Sequence, residues 1–322
     1  MEENGKPGCD SSPPNSGEQA KAAMKRYDLV FVGHVTFDDI EAKEGSSHSV
    51  PGGAPLFGAY AAAPSKKSIA VITRMTKEDA YMLAPLEAAG IDVFLQPASH
   101  TTHMRVVHPT ENLDERLLYQ TKNAGFFLLE EMPSLEPCLM HLGALTDREF
   151  TVEFMRQLKK RAFRLSVDMQ NFVRQVDTVT GAVRFRDVAA KREIISLVDA
   201  VKLDVVEAEI LTGSRDLEEA AAIVEDWGSS ETLITRSDGA LARYRGQTYF
   251  ERYVNKSSHG RTGRGDTTMG AYLAWRIDHG VQESLKFAVA LASIKMETPG
   301  PFKGTLNDVL ALMVQTGHHE QR

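Results

Sequence analysis

The sequence predicts an α/β fold whose central sheet is mostly parallel. Short apolar runs recur from residue 28 to residue 235, each bounded by polar residues or turn formers. The runs are almost continuously apolar rather than alternating, as expected of strands covered on both faces. Segments with the apolar spacing of helices lie between them.

The elements follow in chain order. Residues 28–33 (DLVFVG) read as the first buried strand, closed by a glycine. Later runs of the same kind are 68–73, 139–145, 165–169, 200–203 and 232–235. Helical patterns cover 77–90, ending in Gly90, then 148–161 and 217–227. In the last of these, Leu217, Ala220, Val224 and Trp227 share a face. Asp216 precedes it and Glu219 follows three residues later, a start that looks like a capping box. Residues 283–297 are apolar on nearly every side and predict a buried helix.

Two segments break this rhythm. Residues 41–50 and 104–124 are rich in Thr, His, Val and charge, and the second reads as two strands joined by a turn at Glu111 and Asn112. We read them as a small β lid over residues 41–52 and 102–124, with edge strands of the main sheet as the alternative. Residues 1–26 have the Gly, Pro, Ser and charge of a disordered tail. Residues 27–310 form the expected folded domain, and 311–322 a C-terminal tail.

Composition narrows the function. With 322 residues, 42% hydrophobic and 25% charged, the chain fits one large domain with a small appendage. A formal net charge of −7 argues against a nucleic-acid partner. Two cysteines, Cys9 and Cys138, exclude a disulfide framework and suit a reducing cytoplasm. No apolar stretch has the length of a membrane span, and the N-terminus lacks a signal-peptide core. His103 and His108, with His318 and His319 near the end, form no metal-ligand set.

The most informative stretch is residues 260–275, GRTGRGDTTMGAYLAW. Three glycines within six residues give way to a helical pattern carrying Met269, Leu273 and Ile277. A glycine turn at a helix start exposes unpaired N–H groups to an anion, and the helix dipole adds to it. Asp266 stands at the start of that helix. From spacing alone it is either an N-cap or a functional carboxylate. No lysine follows the last glycine, so this is not a Walker loop, and its place near the C-terminus does not suit a dinucleotide fingerprint.

The stretch resembles the second signature of the ribokinase-like (PfkB) carbohydrate kinase family, Gly-x-Gly-Asp opening a helix. The resemblance covers residues 28 to 304. It implies a ribokinase-like three-layer αβα sandwich with a small β lid, and a kinase that uses ATP and Mg2+. Carried over, Asp266 is the base for the acceptor hydroxyl, and Gly263, Arg264 and Gly265 form an anion hole behind Thr262. Phosphoryl transfer needs this positioning and charge stabilisation more than covalent chemistry.

The same resemblance assigns further residues. Asp38, after the first strand, would hold acceptor hydroxyls; on its own it reads as a solvated turn residue, like Asp39. Gly52 and Gly53 match the family's Gly-Gly before a helix, but Phe57 stands where the family often has Asn, which departs from ribose-type recognition. Asp168, Asn171 and Arg174 match a segment near the phosphates, with Asp168 a candidate for the metal; otherwise they are a polar strand-end turn. Asp204 and Glu207 resemble an Asn-x-x-Glu element with Asp204 in place of the Asn, Glu207 organising magnesium through water. Thr235, Arg236, Ser237 and Gly239 match a turn that packs on the nucleotide. Gly260 replaces an aspartate that helps bind a monovalent cation, which implies weak or absent potassium activation.

The turn and the downstream Pro299-Gly300-Pro301-Phe302 are most similar to the inositol kinase branch, which makes a small sugar or polyol, myo-inositol included, the expected substrate. Ribose, fructose and nucleosides stay open. A nucleoside would need aromatic residues to stack on its base, and Tyr119 and Phe57 are the candidates. A catalytically silent binder is the reading from another class; the retained Asp266 and glycine turn argue against it. A dinucleotide oxidoreductase lacks its glycine motif after the first strand. The lid strands could mediate a homodimer.

Overall fold

The computed structural model describes residues 1, 24–110 and 116–319. In chain order the strands are β1 (Leu29–Val32), β2 (Thr36–Glu41), β3 (Ser47–Gly52), β4 (Ile69–Met75), β5 (Asp92–Pro97), β6 (Thr102–Val107), β7 (Leu117–Lys122), β8 (Leu139–Leu142), β9 (Arg164–Asp168), β10 (Arg174–Val176), β11 (Val183–Phe185), β12 (Ala200–Asp204), β13 (Glu231–Thr235), β14 (Gly239–Tyr244) and β15 (Gln247–Arg252). The helices are α1 (Ala54–Ala62), α2 (Ala84–Ala88), α3 (Val152–Lys160), α4 (Gln170–Val173), α5 (Lys191–Ser196), α6 (Val205–Thr212), α7 (Leu217–Asp226), α8 (Arg264–Arg276), α9 (Val281–Met296) and α10 (Leu306–His319).

Among the described residues, nine strands form the main sheet in the order β15-β14-β13-β12-β9-β8-β1-β4-β5. β5 through β13 in that order are parallel, and β14 and β15 add an antiparallel edge. Each central strand feeds two cores. In β1, Val30 and Val32 pack with α3, α5, α6 and α7, while Leu29 and Phe31 pack with α1, α8 and α9. The apolar runs of the sequence have this cause, and the result is the expected three-layer sandwich.

The lid is a separate four-stranded sheet, β3-β2-β6-β7, rather than an edge of the main one. It begins at Thr36, five residues before the expected start. The turn expected at Glu111 and Asn112 lies outside the described residues, as does residues 2–23 of the expected N-terminal tail. Three other expectations need correction. Residues 77–90 are a 3-10 turn (Glu78–Leu83) followed by α2, because Pro85 has no N–H to continue one helix. Residues 311–319 continue α10 instead of forming a tail. Asp216 caps α7 as expected, but Glu219 accepts from Ser214 Oγ at 2.6 Å rather than closing the box. Among the described residues no helix is long and apolar enough to cross a membrane.

One contact sets the geometry of the site. Helices α1 and α8 cross where Gly270 meets Gly58: a Cβ on Gly270 would lie 2.3 Å from the Gly58 carbonyl oxygen. That close approach brings the starts of both helices, each with a glycine turn, to the same end of the sheet.

Candidate active site

A cavity of about 580 Å3 opens between the lid and the C-terminal ends of the parallel strands. Open α/β sheets bind ligands at this end. A smaller cavity of about 350 Å3 lies among the ion pairs of Arg276 with Glu231 and Arg243 with Glu225, and contains no glycine turn.

The large cavity gathers Asp38, Gly53, Phe57, Arg174, Asp204, Thr235, Thr262, Gly263, Arg264, Gly265 and Asp266 from the expected residues. Gly263 is the N-cap of α8 with φ 75°, a left-handed conformation that suits glycine, and no side chain caps the helix. Asp266 is therefore not an N-cap. It is the third residue of α8, and its side chain lines the cavity. Arg264 N donates to the Arg261 carbonyl at 3.0 Å, and Thr267 N to the Gly263 carbonyl at 2.9 Å, which leaves the N–H groups of Gly265 and Asp266 without an intrahelical acceptor at the helix start.

Asp38 forms the opposite wall. It lies in β2, 8% exposed, and Thr36 Oγ1 donates to its Oδ1 at 2.7 Å. A Cβ on Gly52 would stand 2.1 Å from Asp38 Oδ2, so the carboxylate rests directly on that glycine. Burial pushes the Asp38 pKa up to about 6; the Thr36 bond pulls it down and the nearby Asp266 charge raises it. The two carboxylates thus feel each other across one cavity.

The floor is cationic. Lys202 Nζ pairs with Asp168 Oδ2 at 2.9 Å, both side chains being buried. Burial works against the lysine charge, but Asp168, Glu207, Asp266 and Asp204 more than offset it, so Lys202 is held protonated. A Cβ on Gly265 would lie 3.1 Å from this ammonium, which places it under the glycine turn. Arg174 Nη2 bonds Glu207 Oε1 at 3.0 Å and lies 3.7 Å from Asp204 Oδ2. Three N–H donors on cavity residues, Arg174 Nε, Gln170 Nε2 and Arg264 Nε, are buried without a hydrogen-bond partner. Donors left unpaired in such a place suit an anionic ligand.

Other expected residues lie elsewhere. Asp168 and Glu207 sit beneath the floor, not on it. Glu207 is fully buried, and its other oxygen accepts from Asp204 N at 2.8 Å. With Asp204 Oδ1 accepting from Val206 N and Glu207 N, this is a capping box at the start of α6. Burial, then the Asp204 charge, push the Glu207 pKa up to about 7 against the pull of Lys202 and Arg174. Asn171 bonds the backbone of Phe150. Arg236, Ser237 and Gly239 do not line the cavity; Arg236 pairs with Asp238 and stacks 4.5 Å over Phe250. Phe57 packs its ring on Gly263, and Tyr119, off the cavity, lies against Arg105.

Sequence reasoning missed three groups. Lys202 was visible as a lone lysine in an apolar strand, and Lys295 as a lysine among apolar neighbours near the end of an apolar helix that also carries Lys286. The third is Glu149, which accepts from His34 N at 2.8 Å and Leu145 N at 2.7 Å and ties the exit of β1 to the exit of β8. Burial pushes its pKa up to about 8.

The profile of the pfkB family carbohydrate kinase matches residues 23–306. A cytidine kinase of Thermococcus kodakarensis is 26% identical over 257 residues, 77% of this chain and 87% of that protein. A pyrophosphate-dependent kinase in the ribokinase family, solved as a sulfate complex, superposes with a TM-score of 0.81 at 29% identity, over 88% of this chain and 99% of that one. A structure of such a kinase with a pyrophosphate analog and myo-inositol gives 0.80 at 28% identity, over 88% and 99%. Arabidopsis thaliana ribokinase with ribose and ATP shares the fold at 17% identity, with a TM-score of 0.69 over 89% and 99%. A Gly-x-Gly-Asp turn opening α8 at the C-terminal ends of a ribokinase-like sheet, with a family profile spanning nearly the whole domain, makes this chain a phosphotransferase that belongs to the pfkB family of carbohydrate kinases.

Proposed function

We propose that this kinase transfers a phosphoryl group from inorganic pyrophosphate to a hydroxyl of a small polyol of the inositol class. The observation that carries the reading is the placement of Asp266 between two unlike walls of one cavity, the Asp38 carboxylate on one side and the Lys202–Gly265 floor on the other. An ionised Asp38 accepts from two hydroxyls, as a polyol requires. Asp266 takes the proton of the attacking hydroxyl while that oxygen bonds phosphorus in line with the leaving phosphate oxygen. The turn of Gly263, Arg264 and Gly265 and the Lys202 ammonium stabilise the charge on the transferred group.

The donor reading departs from ATP. The cavity offers short-range cations and unpaired N–H groups, which suit a compact phosphate chain. The expected nucleotide contacts Arg236, Ser237 and Gly239 lie outside it. Two similar solved structures, 29% and 28% identical in sequence, are of a pyrophosphate-dependent kinase in the ribokinase family. ATP is the second reading, because Thr235 at the exit of β13 lines the cavity and Arg264 Nη1 reaches the Ser237 carbonyl at 3.5 Å.

Magnesium fits as an ion carried on the donor. Among the described residues no three His, Cys, Asp or Glu side chains converge as a ligand set. Asp204 lines the cavity, whereas Glu207 and Asp168 are already paired with Arg174 and Lys202. Magnesium keeps most of its water and binds through one or two carboxylates plus phosphates. When bound it would neutralise the phosphates, and Asp204 is the residue placed to hold its water.

The test is a matrix of donors and acceptors with magnesium, read by phosphorus NMR: pyrophosphate and ATP against inositols, hexoses, pentoses and nucleosides. Transfer to an inositol from pyrophosphate is the expected result, and Asp266→Asn should lower kcat by about 100-fold or more. Turnover with ATP alone overturns the donor reading. Tight acceptor binding with no turnover from any donor favours the silent binder.

A further inference from the structure

Lys295 lies in the last turn of α9, 1% exposed, with no carboxylate bonded to it. A buried ammonium is costly unless its donors are satisfied. Here it donates to two backbone carbonyls, those of Gly260 and Thr262. Both belong to the segment that enters the glycine turn. Gly260 N donates in return to the Met296 carbonyl at 2.8 Å. The segment is therefore fastened to α9 at three points. The Phe57 ring lies 4.9 Å from the ammonium on a further side, and the same ring packs on Gly263.

Two carbonyl oxygens aimed at one buried point constitute a cation site, and here the cation is covalently attached. We infer that Lys295 is a tethered counterpart of a monovalent metal ion: its ammonium holds the Gly260 and Thr262 carbonyls and so fixes the turn of residues 263–265 in the geometry that receives the transferred phosphoryl group. Lys295 is a positioning residue, acting through the turn, and the inference rests on the turn's proposed role as the anion hole. It also supplies a physical reason for the expected weakness of potassium activation. An ion has no vacant place to enter while the ammonium fills it.

Burial lowers the Lys295 pKa to about 8, partly countered by the Asp266 charge from α8. Glu297 at the end of α9 is turned to the Lys256 N–H instead. The ammonium is charged below that pH and lost above it. Activity that depends on it falls on the alkaline side.

The experiment compares wild type, Lys295→Met and Lys295→Ala, each with and without 100 mM potassium or ammonium. Methionine keeps the length of the stem without the charge, and alanine leaves room for an ion. Wild type should change less than about twofold with either ion, since its site is filled. Both variants should lose about 100-fold in kcat, in line with a misplaced oxyanion donor, with the acceptor KM little changed. In Lys295→Ala, potassium should restore about tenfold or more of that loss and abolish the alkaline limb, which a purely structural lysine would not allow. Calorimetric titration with pyrophosphate gives a readout besides turnover, expected to show binding weakened in Lys295→Ala and recovered with potassium. A wild type activated tenfold by potassium overturns the inference, and so does Lys295→Met with unchanged kcat. Lost activity in a folded Lys295→Ala that no monovalent ion moves overturns it as well. If neither variant folds, the wild-type potassium response decides alone. A wild type that binds no pyrophosphate and turns over no acceptor strikes the transfer reading instead.

Discussion

The Lys202 ammonium lies beneath the backbone of Gly265, where an added Cβ would stand 3.1 Å from Nζ and 3.0 Å from Cε. A fixed positive charge thus lies against the turn proposed to receive the phosphoryl group. Lys202→Met should lower kcat by about 10²- to 10³-fold, as loss of one oxyanion donor does. The acceptor KM should barely move, because Asp38 occupies the other wall. The variant also strands the buried Asp168, at a cost of about 3–5 kcal/mol. Lys202→Met with Asp168→Asn should recover most of the stability and none of the rate. A double variant at wild-type kcat would show that the ammonium is only a structural partner.

Asp38 gives the site an acid limb. Its pKa is raised from 3.8 to about 6, first by burial. Below pH 6 a proton sits on the carboxylate and one acceptor position is lost, so the polyol KM should rise about tenfold per pH unit. The sign for stability is opposite. A folded-state pKa above the unfolded one means that the fold favours the protonated acid. The penalty appears as pH rises from 3.8 and is complete above 6, at up to about 3 kcal/mol. Asp38→Asn should therefore be more stable than wild type at pH 8, equal to it at pH 3, and poor at binding the acceptor at both. Denaturant melts at the two pH values, without substrate, check this.

Gly270 should tolerate nothing larger. Its Cβ would meet the Gly58 carbonyl oxygen at 2.3 Å, a backbone atom that cannot swing aside. Gly270→Ala must push α1 from α8, which should cost about 1–3 kcal/mol. Because Gly53 begins one helix and Gly263 caps the other, the shift separates the proposed acceptor wall from the proposed anion hole. The fall in kcat should exceed what the stability loss explains at temperatures where the variant is fully folded.

Six of the nine strands of the main sheet were legible because a parallel strand with two buried faces has no polar side to confuse the reading. The edge strands β5 and β15 are only partly buried, and β14 pairs antiparallel, so none of the three stood out as an apolar run. β2 was not, since Asp38 and Asp39 in succession look like a turn; only the pairing of Asp38 with Val50 across the lid makes them a strand. Asp204-x-x-Glu207 carried two meanings at once. It matches a family element, and it is also the capping-box pattern, which the structure fulfils. Asp266 and its turn were readable because their chemistry is local. Lys202 and Lys295 were not, since their partners Asp168, Gly260 and Thr262 lie 34, 35 and 33 residues away in sequence.

Asp204 offers the sharpest test of how the metal enters. It caps α6, pairs loosely with Arg174 at 3.7 Å, and its residue lines the cavity beside the cationic floor proposed to bind phosphate. Asparagine caps a helix as well as aspartate does, so Asp204→Asn should change stability by no more than about 0.5 kcal/mol. Its electrostatic effect has two parts. A negative Asp204 repels the bare donor and attracts the magnesium complex. Removing about 1 kcal/mol of that attraction should raise the half-saturating magnesium concentration about fivefold. Arg174, still bonded to Glu207 but no longer shared with Asp204, should at the same time improve binding of metal-free pyrophosphate. Opposite shifts for the two donor forms place the ion beside Asp204. A variant in which both forms weaken equally would mean that the carboxylate holds only the helix, and that magnesium sits elsewhere on the donor.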